Sequence, residues 1–267
     1  MKLPRTLLSD ADGTLVNTLP LIRHGLYETS RTYFELAGIP AEDIPSYEAY
    51  EAYANQAVGA SARHTIDKAA RLLYEHQPHH LDILDFDALH ELLDPIQDRL
   101  APDYVSAYPG LFDTLHSLGG NGIKLAIFTS SSAHHIVRNF GVALPELGLS
   151  LLHADKTKTE TDKLRAFETT VEQVFGLSGF TVVCAEDVTA HKPDPESLNL
   201  AMRRLKASPS ESAVLGDHSV DMQSGINGKV LTRIGITHGF NDRKSLLAAG
   251  ATTVIDSLIE LPALLAK

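Results

Sequence analysis

LLSDADGTLV, residues 7–16, sets two aspartates two positions apart, directly after an apolar run and directly before Gly-Thr. Alternate residues of an extended strand share a face. Asp10 and Asp12 can therefore point together from the end of a buried strand, with Gly13 free to make a sharp turn. The same letters serve equally well as an ordinary turn with a helix cap, so the rest of the chain has to decide between the two readings.

Outward from this stretch, short β-branched apolar segments ending in polar or glycine residues recur: RTLLSD (5–10), IKLAIFT (123–129), FTVVCAED (180–187), SAVLGD (212–217), KVLTRIG (229–235) and TTVID (252–256). They predict buried parallel strands. Between them lie helix-period stretches such as GLFDTLHSLGGNG, PESLNLAMRRLKA and RKSLLAAG, with glycine near their ends as a stop signal. The alternation predicts an α/β fold, a Rossmann-like doubly wound parallel sheet whose ligands bind at the carboxyl ends of the strands. The pattern breaks between about residues 18 and 106, where TLPLIRHGLYETSRTYFELAG, SYEAYEAYANQAV, SARHTIDKAARLLYEH and DFDALHELLDPIQDRL read as successive helices. We therefore expect a sheet core made of residues 1–17 and 107–267 and an inserted all-helical cap domain, 18–106, placed as a lid over the ligand-binding end of the sheet. SAYPG, 106–110, reads as the return linker. The stretch 141–178, with its polar run HADKTKTETDK, suggests no function.

Composition narrows the classes. At 267 residues and 43% hydrophobic content the chain can bury a sizeable core. Its net charge of −11, without a basic cluster, argues against a nucleic-acid partner, while small anions stay possible beside a metal or a few local cations. Cys184 is the only cysteine, which excludes an internal disulfide and makes it a small core filler. No run of about 18 apolar residues suggests a membrane span, and MKLPRTLLSD is too short in its apolar part for a secretory signal. The expectation is a cytoplasmic monomer or homodimer.

Three further signals fall at strand ends. Thr129 closes IKLAIFT and is followed by Ser130, Ser131 and Ser132, hydroxyls and amides that suit an anion pocket or, alternatively, a helix N-cap. HKPDPE, 191–196, fixes Lys192 immediately before a proline, as a cation near the strand ends or as a solvated surface lysine. In LGDHSVDM, 215–222, Asp217 and Asp221 stand four apart at the turn into a helix. Their oxygens are what Mg²⁺ prefers, although N-capping by Asp217 explains them too.

Taken in order, acid pair, hydroxyl, lysine, acid pair, the chain resembles the haloacid dehalogenase-like hydrolase superfamily, in particular its phosphoglycolate phosphatase-like members. DADGTLVNT, YPGLFDTLHSLGGNGIKLAIFTSSS, HKPDPESLNLAMRRL, SAVLGDHSVDMQSGINGKV, ITHGF and AGATTVIDSLIELPALL carry the resemblance. It implies that Asp10 is a nucleophile forming an aspartyl-phosphate, and that Asp12 protonates the leaving oxygen and then activates water. Thr129 would hydrogen-bond the phosphoryl group, with Ser130 beside it as a substrate contact, and Lys192 would neutralise its charge. Mg²⁺ would be held by Asp10, the backbone carbonyl of Asp12, Asp217 and Asp221. The implied substrate is a small phosphorylated metabolite, phosphoglycolate-like or a sugar phosphate. Asp12 favours ester hydrolysis over the dehalogenase and phosphonoacetaldehyde branches, whereas a mutase of the β-phosphoglucomutase type shares all four motifs, and a non-catalytic binding module is the remaining alternative. The sequence departs from the family in the long gap between Thr129 and Lys192 and in Ala11, which replaces a bulkier residue.

In the helical insert, Arg63 is the candidate for a second anion contact. Tyr47, Tyr50 and Tyr53 recur every three residues and read as helix packing more readily than as a substrate stripe. His76, His79 and His80 read as a loop rather than a metal cluster.

Overall fold

In the computed structural model, the described residues are 4–57, 62–75 and 78–265. They form two compact units, Met1–Asn17 with Ser106–Lys267, and Thr18–Val105. The first holds the eight strands found among the described residues: β1 Thr6–Ser9, β2 Val16–Asn17, β3 Ser106–Ala107, β4 Lys124–Phe128, β5 Phe180–Val183, β6 Ser212–Gly216, β7 Thr232–Ile236 and β8 Thr253–Ile255. Six of them make one sheet in the order β5-β4-β1-β6-β7-β8, with every pair parallel. The six apolar segments of the sequence become these six strands. β1, β5 and β6 are buried at every position, which is why they read as continuous hydrophobic runs rather than alternating ones. From β1 the chain builds β4 and then β5 on one side, and from β5 it crosses back to β6, β7 and β8 on the other, so the topological switch point lies at the carboxyl end of β1.

The remaining pair, β2 and β3, is an antiparallel ribbon with Val16 opposite Ala107 and Asn17 opposite Ser106. The first residues of SAYPG are thus a short strand, not only a linker. A two-residue strand carries no periodicity, and the sequence gives no sign of it.

The second unit contains α1 Leu19–Leu36, α2 Tyr47–Ala57, α3 Ala62–Leu73, α4 Pro78–Leu81 and α5 Phe86–Tyr104. It has a core of its own, in which Leu26, Phe34, Tyr50, Ile66, Tyr74, Leu89 and Leu93 pack together. Helix α5 begins at a true cap, with the Asp85 carboxylate accepting the N–H groups of Asp87 and Ala88, and it runs through Pro95 and Pro102.

The sheet is flanked by α6 Leu111–Gly120, α7 Ala133–Ala143, α8 Leu149–Ala154, α9 Glu160–Phe175, α10 Glu196–Leu205, α11 Ser219–Asn227, α12 Arg243–Ala248 and α13 Leu261–Leu265. Leu8, Ala126, Phe128, Val183, Leu198, Met202, Val214 and Leu246 join strands and helices in one core cluster. The unassigned stretch 141–178 supplies α8 and α9, and α9 closes an exposed edge. β5 is an edge strand, and its outward N–H groups need partners. Glu172 Oε2 accepts the Phe180 N–H at 3.1 Å and Glu168 Oε1 accepts the Val182 N–H at 2.7 Å. Residues four apart on a helix rise roughly 6 Å and residues two apart on a strand roughly 6.6 Å, so the two rows match. Arg204 Nη1 donates to the Val182 carbonyl on the same edge.

Candidate active site

The switch point brings three strand ends together. Asp10 follows β1, and its N–H continues the ladder by donating to the Leu215 carbonyl at 2.9 Å. Thr129 follows β4 in the same way, its N–H donating to Val183. Asp217 follows β6, and Asp221 lies in the first turn of α11 with its Oδ2 accepting the His218 N–H. Lys192 comes from the connection between β5 and α10 and lays its ammonium 4.1 Å from the centre of the Phe128 ring. From there Nζ reaches Asp10 Oδ1 at 2.5 Å and Asp221 Oδ1 at 2.8 Å. All of these side chains are buried or nearly so.

The electrostatics follow from the count of charges. One carboxylate oxygen from each of Asp10, Asp217 and Asp221 lies within 4.8 Å of the other two, and the Lys192 ammonium faces Asp10 and Asp221. The Asp10 carboxyl is held well above the usual range, by burial first; Lys192 pulls it down, and Asp221 and Asp217 push it up. Asp217 is raised to about 7, by burial first and then by Asp221, against the N–H of Phe240 and the hydroxyl of Thr14. Burial works against the Lys192 charge, yet Asp10 and Asp221 more than offset it and hold the ammonium above its ordinary range. With all three ionised, three carboxylates against one ammonium leave two negative charges. That deficit, met by oxygen donors only, fits a hard divalent cation.

Thr14 and two glycines hold Asp217 in place. The Thr14 hydroxyl donates toward Asp217 Oδ1 at 2.7 Å and lies 3.2 Å from Asp10 Oδ2, while the Phe240 N–H donates to Asp217 Oδ2 at 2.7 Å. A Cβ on Gly13, whose φ is +80°, would meet Asp217 Oδ2 at 2.5 Å, and one on Gly239 would collide with the same carboxylate. DADGT and HGF are thus the two walls of one cradle. Across it the His238 ring stacks on Tyr108 at 3.5 Å, and its Nε2 pairs with the Thr14 carbonyl at 2.9 Å.

The Asp12 carboxylate has different partners. Ser131 Oγ donates to its Oδ2 at 2.6 Å and Asn139 Nδ2 to its Oδ1 at 3.0 Å. It therefore stands apart from the buried acidic triple, and its backbone carbonyl is the group the sequence reading gave to a metal. Of the three serines after Thr129, Ser130 is half-buried, Ser131 serves Asp12 and Ser132 caps α7 by accepting the His135 N–H. Sequence reading missed Thr14, Asn139, His238 and Tyr108. Thr14 was within reach, since it adjoins the acid pair. Asn139 was not, because 127 residues separate it from Asp12 and nothing in a helix interior marks such a partner.

In the second unit Arg63 is exposed near the start of α3. Tyr50 is buried with its hydroxyl 2.8 Å from that of Ser30, and Tyr47 stacks on His24 at 4.5 Å; the side chain of Tyr53 lies outside the described residues. His76 also lies outside them. His79 and His80 sit on the single turn α4 rather than in a loop, because His80 is buried against Asp43, 3.2 Å away, and against Tyr74.

An α/β sheet with a buried acid cluster and lysine at its switch point has the arrangement of a ligand site, and comparison with known proteins gives it a family. The family model described as haloacid dehalogenase-like hydrolase matches residues 4–228. The chain belongs to that family. Pyrophosphatase PpaX of Oceanobacillus iheyensis is 26% identical over 232 residues, spanning 85% of this chain and 81% of that protein. Phosphoglycolate phosphatase of Pseudomonas putida is 24% identical over 256 residues, spanning 96% and 78%. The solved structure of CbbY from Rhodobacter sphaeroides in complex with phosphate aligns with a TM-score of 0.65 at 19% identity, over 97% of this chain and 96% of that one, a likeness of fold. Among the described residues, no helix is long and apolar enough to cross a membrane.

Proposed function

We propose that the protein is a Mg²⁺-dependent phosphatase that hydrolyses a small phosphorylated metabolite through an aspartyl-phosphate at Asp10. The observation that carries this reading is the convergence of Asp10, Asp217 and Asp221 on Lys192 at the switch point. The relatives named as a pyrophosphatase and a phosphoglycolate phosphatase support it, since both names describe small phosphorylated anions. The three buried carboxylates would hold Mg²⁺, together with the Asp12 carbonyl, and the ion supplies positive charge that a phosphate ester needs beside an anionic nucleophile.

Asp10 attacks phosphorus through a carboxylate oxygen, and the ester bond breaks with its electron pair moving to the leaving oxygen. Asp12 gives that oxygen a proton, so an alcohol departs. Water then attacks the phosphorus of the acyl phosphate and passes a proton to Asp12, which restores both acids and releases inorganic phosphate. Lys192 and the Thr129 hydroxyl stabilise the charge spread over the phosphoryl oxygens. Catalysis is assigned to residues 1–17 and 107–267. Substrate choice is assigned to the helical cap, 18–106, where Arg63 is a candidate for a second anionic group. The acidic balance of the chain suits a diffusible cytoplasmic substrate better than a nucleic acid.

The test is inorganic phosphate release from a panel of about fifty phosphorylated metabolites, with Mg²⁺ and with chelator, for the wild type and Asp10→Asn. Metal-dependent release by the wild type alone is expected. A phosphorylated isomer appearing in place of phosphate would make it a mutase, and no turnover of any compound would leave a binding module.

A further inference from the structure

We propose that Asn139 is a positioning residue for the acid–base Asp12 and that Arg138 sets the orientation of its amide. This rests on the phosphatase reading above. The Asp12 carboxylate has to deliver a proton to one oxygen and then take one from water arriving at the same place, so its plane has to stay fixed through both steps. Two donors fix it: the Ser131 hydroxyl on Oδ2 at 2.6 Å and the Asn139 amide on Oδ1 at 3.0 Å.

An asparagine amide presents oxygen or NH₂ at almost no difference in shape. Only its hydrogen bonds decide which end faces Asp12, and here Arg138 decides. Its Nε–H donates to Asn139 Oδ1 at 3.0 Å, and because a guanidinium has no acceptor, the amide oxygen is committed to it and the NH₂ to Asp12. Arg138 and Asn139 are 3% and 4% exposed, so bulk water does not compete for either contact. Interposing a neutral amide has a chemical consequence. A guanidinium placed directly on Asp12 would hold it as a carboxylate, whereas an amide N–H donates to Oδ1 whether or not the other oxygen carries a proton. The Ser131 hydroxyl can turn from donor to acceptor as that proton comes and goes. Its own N–H is tied to Thr129 Oγ1 at 3.0 Å, so Asp12 is registered to the same loop as the phosphoryl contact.

The experiment compares kcat/KM for an alkyl phosphate with that for 4-nitrophenyl phosphate in the wild type and Asn139→Asp. The variant keeps the size and the Arg138 contact but loses the donor. An alkoxide cannot leave without a proton, while nitrophenolate leaves without one, so a displaced acid is felt by the first substrate only. A fall of about tenfold or more on the alkyl ester with about twofold or less on the aryl ester is expected, with the Mg²⁺ Kd by calorimetry unchanged. Asn139→Ala carries the same comparison should the aspartate variant fold poorly, and Arg138→Met, which frees the amide to turn, is expected to show a smaller shift in the same direction. Equal falls on both esters, or no fall, would overturn the positioning role. The alkyl ester is the metabolite turned over fastest in the panel above; a wild type that turns over nothing in that panel, nor the aryl ester, instead overturns the phosphatase reading, and the positioning role with it.

Discussion

At the carboxyl ends of β1 and β6, Asp10, Asp217 and Asp221 face one another and a single ammonium, whereas along the free edge of β5, Glu168 and Glu172 face main-chain N–H groups. The two sets are the same chemical group on the same sheet. At the edge each carboxylate meets a donor that would otherwise go unpaired, and the contact stabilises the fold. In the crevice the acids meet one another in a buried place, and their ionised forms are costly until positive charge arrives. A carboxylate's role is set by what faces it, and surplus negative charge in a buried crevice is the mark of a site rather than of a scaffold.

The largest effect that could break this contrast is on turnover. Asp10→Asn is expected to lower kcat by about 10³-fold or more while leaving the unfolding transition in place, measured by phosphate release and thermal denaturation. Activity close to wild type would remove Asp10 from the chemistry. Lys192→Met should cost about 10²-fold in kcat and destabilise the protein by about 3–5 kcal/mol, because it leaves buried carboxylates without their partner. Adding Asp221→Asn to that variant should restore stability but not activity; recovery of both would mean that the lysine is structural.

Proton linkage sharpens the contrast from the other side. The folded-state pKa of Asp217, about 7, lies above its ordinary value of 3.8, so between these pH values the folded protein holds a proton that the unfolded chain has lost. Stability of the metal-free protein should therefore fall as pH rises from about 4 to about 7, by on the order of a few kcal/mol, with Asp10 acting in the same direction. Mg²⁺ should reverse the loss at pH 7. Urea titrations at several pH values with Mg²⁺ or chelator check this, and a metal-independent curve would remove the cation from the crevice. The smallest effect belongs to the edge: Glu168→Ala is expected to cost about 1–2 kcal/mol of stability with kcat retained, read from denaturation and the standard assay. A loss of turnover without a loss of stability would tie the β5 edge to the site.

Much of this was written in the chain. β1, β4, β5 and β6 are almost wholly buried, so their sequences are short and mostly apolar, with no charged side chain between the strand's first residue and its end. That is why Asp10, Thr129 and Asp217 announce themselves as interruptions, and why parallel strands alternating with helices place those interruptions at one end of the sheet. The helical period of residues 18 to 106 announces a second core for the same reason, since a buried stripe must repeat at the helical spacing.

Tertiary structure decided what no local pattern encodes. Asn139 meets Asp12, Phe240 meets Asp217 and Glu168 meets Val182 only because α7, the HGF turn and α9 pack where they do, and a hydrogen bond between distant residues leaves no periodicity in either segment. The ribbon of β2 and β3 is likewise too short to carry one. The sequence could name the acids because chemistry and strand ends mark them. Packing alone determined which acids share one small buried volume, with two charges left to balance, and which merely close an edge.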